Sequence, residues 1–322
     1  MNILVDIGGT YARFAVEKNG KPVLIKKYAA ADYKNFETAL AAYASSMEAD
    51  KKNSLLISTA AHPHGKLWRF VNNNTWVIDP VALTKKGFHT KLILNDFEAA
   101  TWGLMGLKKS NITVLKKPHL KNSHLKNPSA SRCLIGPGTG LGLAYLTKHA
   151  NGIHSVQPTM GGHIAAAAVT AEQDLIVQAV RRIKPRKGVV VYEDLISGQG
   201  LMNIYHALCD LDGKPRMAKT PADVLGPVGK TQGRTALRLF HEFFGLFAAS
   251  VVVSGHAYGG LYLTGGVTDR LVEEQLFNAA HFEKFFVGDY VPSVHRALGE
   301  TGIYHVNDPA LALRGLWAAY NA

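Results

Sequence analysis

Two stretches of the chain share one pattern of strand, glycine turn, strand, Asn-Gly turn and strand. Residues 3–28 read ILVDIGGTYARFAVEKNGKPVLIKKY and residues 133–157 read CLIGPGTGLGLAYLTKHANGIHSVQ, and the glycine turn precedes the Asn-Gly pair by the same interval in both, Gly8 to Asn19 and Gly140 to Asn151. Asn-Gly between alternating apolar runs is the strongest short-range hairpin signal and favours a type I′ turn. The repeat therefore constrains the chain to two copies of a three-stranded antiparallel meander, one in each of two α/β lobes. A length of 322 residues with 47% apolar content supplies enough material for two cores, since one average domain takes roughly 100–200 residues.

In each copy the glycines fall at the first turn, where missing side chains let backbone N–H groups approach a ligand closely. Thr10 and Thr139 add hydroxyls beside those amides. Gly8, Gly9 and Thr10, with Gly138, Thr139 and Gly140, are thus candidate polyphosphate loops. An ordinary glycine hairpin is the alternative for either loop by itself. GPGTGLG does not match G-x-G-x-x-G, and the LGLAYL that follows is strand-like, which argues against a dinucleotide loop; a G-x-x-x-x-G-K-[ST] element is also absent. A third element, GGLYLTGGVTDRL, runs a strand into Gly265-Gly266 and then a helix, as at the nucleoside end of a nucleotide site.

Residues 92–104, LILNDFEAATWGL, stop an apolar strand at Asn95-Asp96 and resume as a helix on which Phe97, Ala100, Trp102 and Leu104 share a face. Asp96 at that junction is either an N-cap or a carboxylate presented to a ligand, and its position allows both.

The formal charge is +12, a balance that suits nucleic acid, an anionic substrate or neither. Much of it lies in KKPHLKNSHLKNPSASR, read as an exposed loop, and in RRIKPRKG, read as a helix end whose cations favour the negative pole of the dipole. Neither is interleaved with aromatics, so no nucleic-acid surface is expected. Cys133 and Cys209 are far apart and fit neither a disulfide framework nor a paired-thiol zinc site; a reducing, cytoplasmic setting is expected. The opening MNILVDIGG lacks a basic leader region. The longest apolar helical run, FFGLFAASVVVSG, falls short of the roughly 20 residues that cross a bilayer, so no membrane partner is expected. HPH at His62–His64 has no metal-ligand spacing and reads as loop. Thr170 to Gln173 ahead of LIVQAV marks a capped helix.

Six ordered elements, DIGGTYAR, LNDFEAA, IGPGTGLG, GGH, YEDLISGQGLMNIY and LTGGV, together resemble the bacterial ATP-dependent glucokinases over nearly the whole chain. The match is to the branch without the cysteine-rich zinc motif and DNA-binding domain of the repressor-related sugar kinases. The resemblance implies a two-lobed actin/hexokinase-like (ribonuclease H-like) fold with duplicated meanders and an interlobe cleft. The duplication divides the chain into an expected small lobe of residues 1–97 plus 300–322 and a large one of residues 98–299. The resemblance also implies that Asp96 is the catalytic base toward the sugar 6-hydroxyl, and that Asn95, His163, Glu193, Asn73 and the residue at Met160 contact the sugar. Gly8, Gly9, Thr10, Gly138, Thr139, Gly140, Gly265 and Gly266 would hold ATP, and Asp6 would hold Mg²⁺ through water. A homodimer is implied as well. Two positions depart from the family: Met160 stands where a glutamate usually precedes Gly-Gly-His, and Tyr11 where an asparagine usually follows Gly-Gly-Thr. Taken alone, His163 reads as a satisfied structural histidine and Glu193 as an acid in the first turn of a helix. The expected activity is glucose phosphorylation, with a kinase of another hexose or amino sugar, or a sugar-binding regulator with little turnover, as alternatives.

Overall fold

The computed structural model describes residues 1–47, 53–70, 74–118, 130–184 and 188–322. In chain order, β1 (Asn2–Ile7), β2 (Tyr11–Lys18) and β3 (Lys21–Ala29) precede α1 (Phe36–Ser45) and β4 (Asn53–Thr59). The short strands β5 (His62–His64), β6 (Leu67–Arg69) and β7 (Val77–Ile78) follow, then α2 (Pro80–Lys85), β8 (Phe88–Asn95) and α3 (Asp96–Trp102). Next come β9 (Ile112–Lys116), β10 (Arg132–Pro137), β11 (Leu141–Lys148) and β12 (His154–Thr159). Helices α4 (Ala171–Ile183), α5 (Gly198–Leu211), α6 (Pro221–Leu225) and α7 (Lys230–Ser254) lead to β13 (Leu261–Leu263). The last elements are α8 (Gly266–Glu273), α9 (Ala279–Val287), α10 (Pro292–Glu300), β14 (Ile303–Val306) and α11 (Leu311–Tyr320).

Two mixed sheets carry the repeat. The first has the order β3-β2-β1-β4-β8, the second β12-β11-β10-β13-β14-β9. In the first, β1 pairs antiparallel with β2 and β2 with β3, while β4 runs parallel to β1 and β8 parallel to β4. In the second, β10 pairs antiparallel with β11 and parallel with β13, β13 is parallel to β14, and β9 adds an antiparallel edge. The duplicated α/β topology expected from the sequence is present. One turn departs from expectation. Asn19 (φ +52°) and Gly20 (φ +76°) form the type I′ turn, whereas at the second Asn-Gly only Gly152 has positive φ, at +85°. The Gly152 N–H bonds the carbonyl of His149 at 2.9 Å, which is the longer hairpin loop built on a type I turn and a glycine bulge.

The chain forms two compact units, one of Met1–Lys109, Ile153–Pro158 and Asp308–Ala322, the other of Ser110–Gly152 and Thr159–Asn307. In the first, strand alternation sends Ile3, Val5, Phe14 and Ile57 to one face, where they meet Phe36, Leu40 and Tyr43 of α1. Leu4, Ala15 and Leu56 face the other way and meet Ala99 of α3 with Leu313 and Leu316 of α11. Glycines set that second contact: a Cβ at Gly315 would collide with the Ala99 carbonyl and the Gly103 N–H, and one at Gly103 with the Leu311 carbonyl. The buried face of α3 is centred on Ala99, Thr101 and Trp102 rather than on Phe97 and Ala100, because α11 approaches from that side.

In the second unit, α7 packs Phe240, Phe243, Phe244 and Phe247, all fully buried, into the main core. Burying each such side chain is worth about 1.5–3 kcal/mol. The apolar run was expected to be too short to span a bilayer, but α7 continues N-terminally through Lys230–Glu242 to 25 residues and is long and apolar enough by length and composition. Its apolar window is 78% buried against protein, so its hydrophobicity is spent on the core. Thr170 caps α4 as expected, accepting from the Gln173 N–H at 3.2 Å. Arg181 and Arg182 fill the last turn of α4. Two segments depart from expectation. Lys116 is not solvated loop: it ends β9, is buried, and its ammonium bonds the carbonyls of Gly299 and Thr301 at the C-terminus of α10, where a cation complements the helix dipole. His62–His64 is a strand, β5, paired with β6. Its three residues are exposed.

Candidate functional site

The first unit assembles one set of the expected residues. Asp6 shares the Leu4 face of β1 and stands in register with Ser58 of β4, while Thr59 is in register with Asn95 of β8. Asp6 Oδ1 accepts from the Ser58 hydroxyl at 2.9 Å, and Oδ2 from the Arg13 guanidinium at 3.3 Å. The β8 strand stops at Asn95 because that residue caps α3: its Oδ1 accepts from the N–H groups of Phe97 (3.0 Å) and Glu98 (3.4 Å). The cap role open to Asp96 thus falls to its neighbour, whose amide NH₂ also bonds the Asp96 carboxyl and has a second hydrogen to offer a ligand oxygen. Asp96 is the first helical residue, where the dipole favours an acid, and its Oδ1 accepts from the Phe97 N–H at 2.8 Å.

Burial pushes the Asp6 carboxyl above the ordinary carboxylate range, opposed by Arg13 and Ser58. Burial, then the charge of Asp6, pushes Asp96 up as well, against the Phe97 N–H. Such a carboxylate holds a proton more tightly than a free aspartate, which suits it to take one from an alcohol.

Beside Asp6, the Gly8 N–H bonds the Tyr11 carbonyl at 2.9 Å and closes the first glycine turn. Asn74 braces it, donating to the Gly8 carbonyl at 2.9 Å while its Oδ1 accepts from the Trp76 N–H. Gly9 and Thr10 line a cavity of about 240 Å³ together with Ala30, Ala31, Asn74 and Thr75. Tyr11 is exposed, and its ring carries the Lys27 ammonium at 3.8 Å. Asn73 lies outside the described residues.

The second unit gathers the other set. The Gly138 N–H turns back onto the Gly140 carbonyl (2.8 Å), and the N–H of Gly198, first residue of α5, bonds the Gly138 carbonyl (2.9 Å). Gly265 takes φ +94° with its Cα against β10, where a Cβ would lie 2.6 Å from the Pro137 carbonyl. Gly266 then opens α8, so the first turns of α5 and α8 both lie beside the Gly138–Gly140 turn, and helix N-termini favour anions. Glu193 lies in a short 3₁₀ turn rather than in a helix first turn, and its Oε2 accepts from the Leu141 N–H at 2.8 Å. A Cβ at Gly140 would sit 2.7 Å from that same oxygen, so glycine there lets the carboxylate close on the loop.

Gly161 and Gly162 are buried against Leu143 and the Leu141 carbonyl, and the turn they form leaves His163 exposed and Met160 72% exposed. The Tyr192 N–H bonds the Ile164 carbonyl at 3.0 Å, tying this turn to Glu193. Replacing Glu193 by alanine should cost about 1–3 kcal/mol in urea unfolding, because the Leu141 N–H loses its acceptor. Glutamine, which keeps an acceptor, should stay within about 0.5 kcal/mol of wild type.

Ser58, Arg13 and Asn74 were not singled out from the sequence. Arg13 lies inside DIGGTYAR, the one signal available, whereas Ser58 and Asn74 reach their partners across 52 and 66 residues of chain.

The sequence model of the family described as Glucokinase matches residues 3–322. A glucokinase of Pseudomonas aeruginosa (strain PAO1) is 31% identical over 291 residues, covering 89% of this chain and 84% of the relative. One of Agrobacterium fabrum is 30% identical over 324 residues, 98% of this chain and 90% of its own. Among solved structures, glucokinase from an Antarctic psychrotroph superposes with a TM-score of 0.82 at 23% identity, covering 99% of this chain and 98% of that one.

Proposed function

The chain belongs to the glucokinase family and is an ATP-dependent hexose kinase, and from that premise we propose that Asp96 is the base that accepts the proton of the glucose 6-hydroxyl. The observation that carries this reading is Asp96 itself, a half-buried carboxylate at the first turn of α3 whose proton affinity is raised by desolvation and by Asp6. Phosphoryl transfer asks little covalent chemistry of the protein; positioning and charge stabilisation do most of the work. Asn95 orients the sugar through its amide NH₂, while His163 and Glu193 meet other hydroxyls. With the Gly8 and Gly138 N–H groups closing their own turns, the phosphates fall to the amides of Gly9, Thr10, Thr139 and Gly140, and Gly265 with Gly266 lies under the nucleoside.

Among the described residues no cluster of three metal-ligating side chains occurs, but Mg²⁺ needs only one or two carboxylates beside water and phosphate. Asp6 meets that need: it is an acid whose charge burial disfavours and which raises the pKa of a second acid, Asp96. Asp6 would hold the ion through water. When bound, Mg²⁺ neutralises charge on the transferring phosphate. With Cys133 and Cys209 both free and buried, we place the enzyme in the reducing cytoplasm.

Met160 supports a second reading, a preference for another hexose or an amino sugar. A thioether is a poor acceptor, so a charge-assisted hydrogen bond to a sugar hydroxyl, worth about 10- to 150-fold in binding, is missing. ADP release across a panel of hexoses and amino sugars decides between the two by kcat/KM. Glucose is expected to rank first, and a different sugar ahead of it would transfer the assignment. Met160→Glu is expected to lower the KM for glucose by about 10- to 150-fold. An unchanged KM would remove Met160 from the pocket.

A further inference from the structure

The second unit contains a groove that the kinase site does not use. It runs along α7, and two cavities of about 280 and 500 Å³ share Arg234, Leu237 and Leu276 in their walls. Arg238, His241, Asn278 and His281 complete the first, and Lys230, Gly226 and Pro227 extend the second. None of Gly138–Gly140, Gly198, Gly265 or Gly266 lines either cavity, and neither wall contains an acidic residue.

Lys230, Arg234 and Arg238 recur every four residues and so share one face of α7, a spacing at which like charges repel and weaken a helix. Arg238 is compensated, bonding Glu172 and Glu242. Glu242 also accepts from Gln173 and pairs with His281. His241 contributes no charge: burial pushes it down to about 4, and its ring is fixed between the Leu237 carbonyl and the Asn278 N–H. Lys230 and Arg234 have no acidic partner among the described residues. An uncompensated lysine and arginine over an apolar floor of Leu237 and Leu276, in cavities of small-ligand size, ask for an anion with a carbon body.

We propose that this groove binds a small phosphate monoester, its phosphate held by Lys230 and Arg234 and its carbon skeleton resting on Leu237 and Leu276. The site is separate from the phosphate loops, so it gives the chain a second point at which a phosphorylated metabolite acts. Part of the excess positive charge of the sequence has its use here.

The test is calorimetric titration at fixed ionic strength with a hexose 6-phosphate, with AMP and with inorganic phosphate, on wild type and on Lys230→Ala/Arg234→Ala. The two esters represent the two sources of the same chemistry, and the tighter one names the source. The double variant is expected to bind that ester about 10- to 150-fold more weakly, with the KM values for ATP and glucose unchanged. Lys230→Arg/Arg234→Lys should restore binding. Equal affinity in the double variant, a matching rise in the KM for ATP, tighter binding of inorganic phosphate than of either ester, or no binding to wild type would each overturn the proposal.

Discussion

Asp96→Ala is expected to lower kcat for glucose phosphorylation by about 10² to 10⁴ and to leave the affinity for ATP nearly unchanged. The reason is a division of labour along the chain. Asp96 belongs to the first turn of α3, whereas most of the amides assigned to the nucleotide come from Gly138–Gly140 and the turn at Gly265–Gly266. The cap on α3 is made by Asn95, so removing the Asp96 carboxylate deletes a proton acceptor without uncapping the helix. Alanine there should cost little stability, and thermal unfolding measured beside turnover separates the two effects. In the wild type, kcat/KM should fall as pH drops through a value above the ordinary aspartate range, because burial and Asp6 favour the protonated form of the carboxylate proposed as base. Turnover within threefold of wild type in the alanine variant, or an acid limb at the ordinary aspartate value, would remove Asp96 from the role.

Gly315→Ala is the second large effect, and it acts through packing. Its added Cβ would overlap the Ala99 carbonyl and crowd the Gly103 N–H. Both are backbone groups of the α3 segment and cannot rotate aside as a side chain can. Overpacking of this kind typically costs 1–3 kcal/mol, sometimes more, and here α11 must lift from α3 to relieve it. The helix that begins with Asp96 loses its support, so activity should fall together with Tm. Denaturant unfolding reports the stability loss; a variant with wild-type midpoint and turnover would show that α11 docks differently. Ala312→Gly, one turn away on the same helix, is the control: it should cost only about 1 kcal/mol, the helix propensity difference.

Local chemistry was legible in the sequence. The glycine turns, the strand ending at Asn95 and the cap at Thr170 are each written in a handful of consecutive residues, and their repetition exposed the topology. What stayed hidden depends on partners far along the chain. Nothing near Ser58 marks it as the donor to Asp6, and nothing near Asn74 marks it as the brace of Gly8. Lys116 looked like one more cation in a basic loop because its acceptors, Gly299 and Thr301, lie about 180 residues away. The length of α7 was missed for another reason: its first half is polar, so apolar periodicity marked only the second. The second Asn-Gly turn shows the same limit on a smaller scale, where loop length rather than the dipeptide chose the turn type.

The dependence of α3 on α11 has a consequence for biosynthesis. The ribosome delivers β1 through α3 early, but α11 emerges only after roughly 200 more residues, a delay of about 10–40 s at ordinary elongation rates. Throughout that interval Leu4, Leu56 and Ala99 lack the cover that Leu313 and Leu316 later provide. The nascent half-domain therefore carries a sticky sheet face while translation continues, and chaperones that bind exposed apolar strands are the natural custodians of that wait.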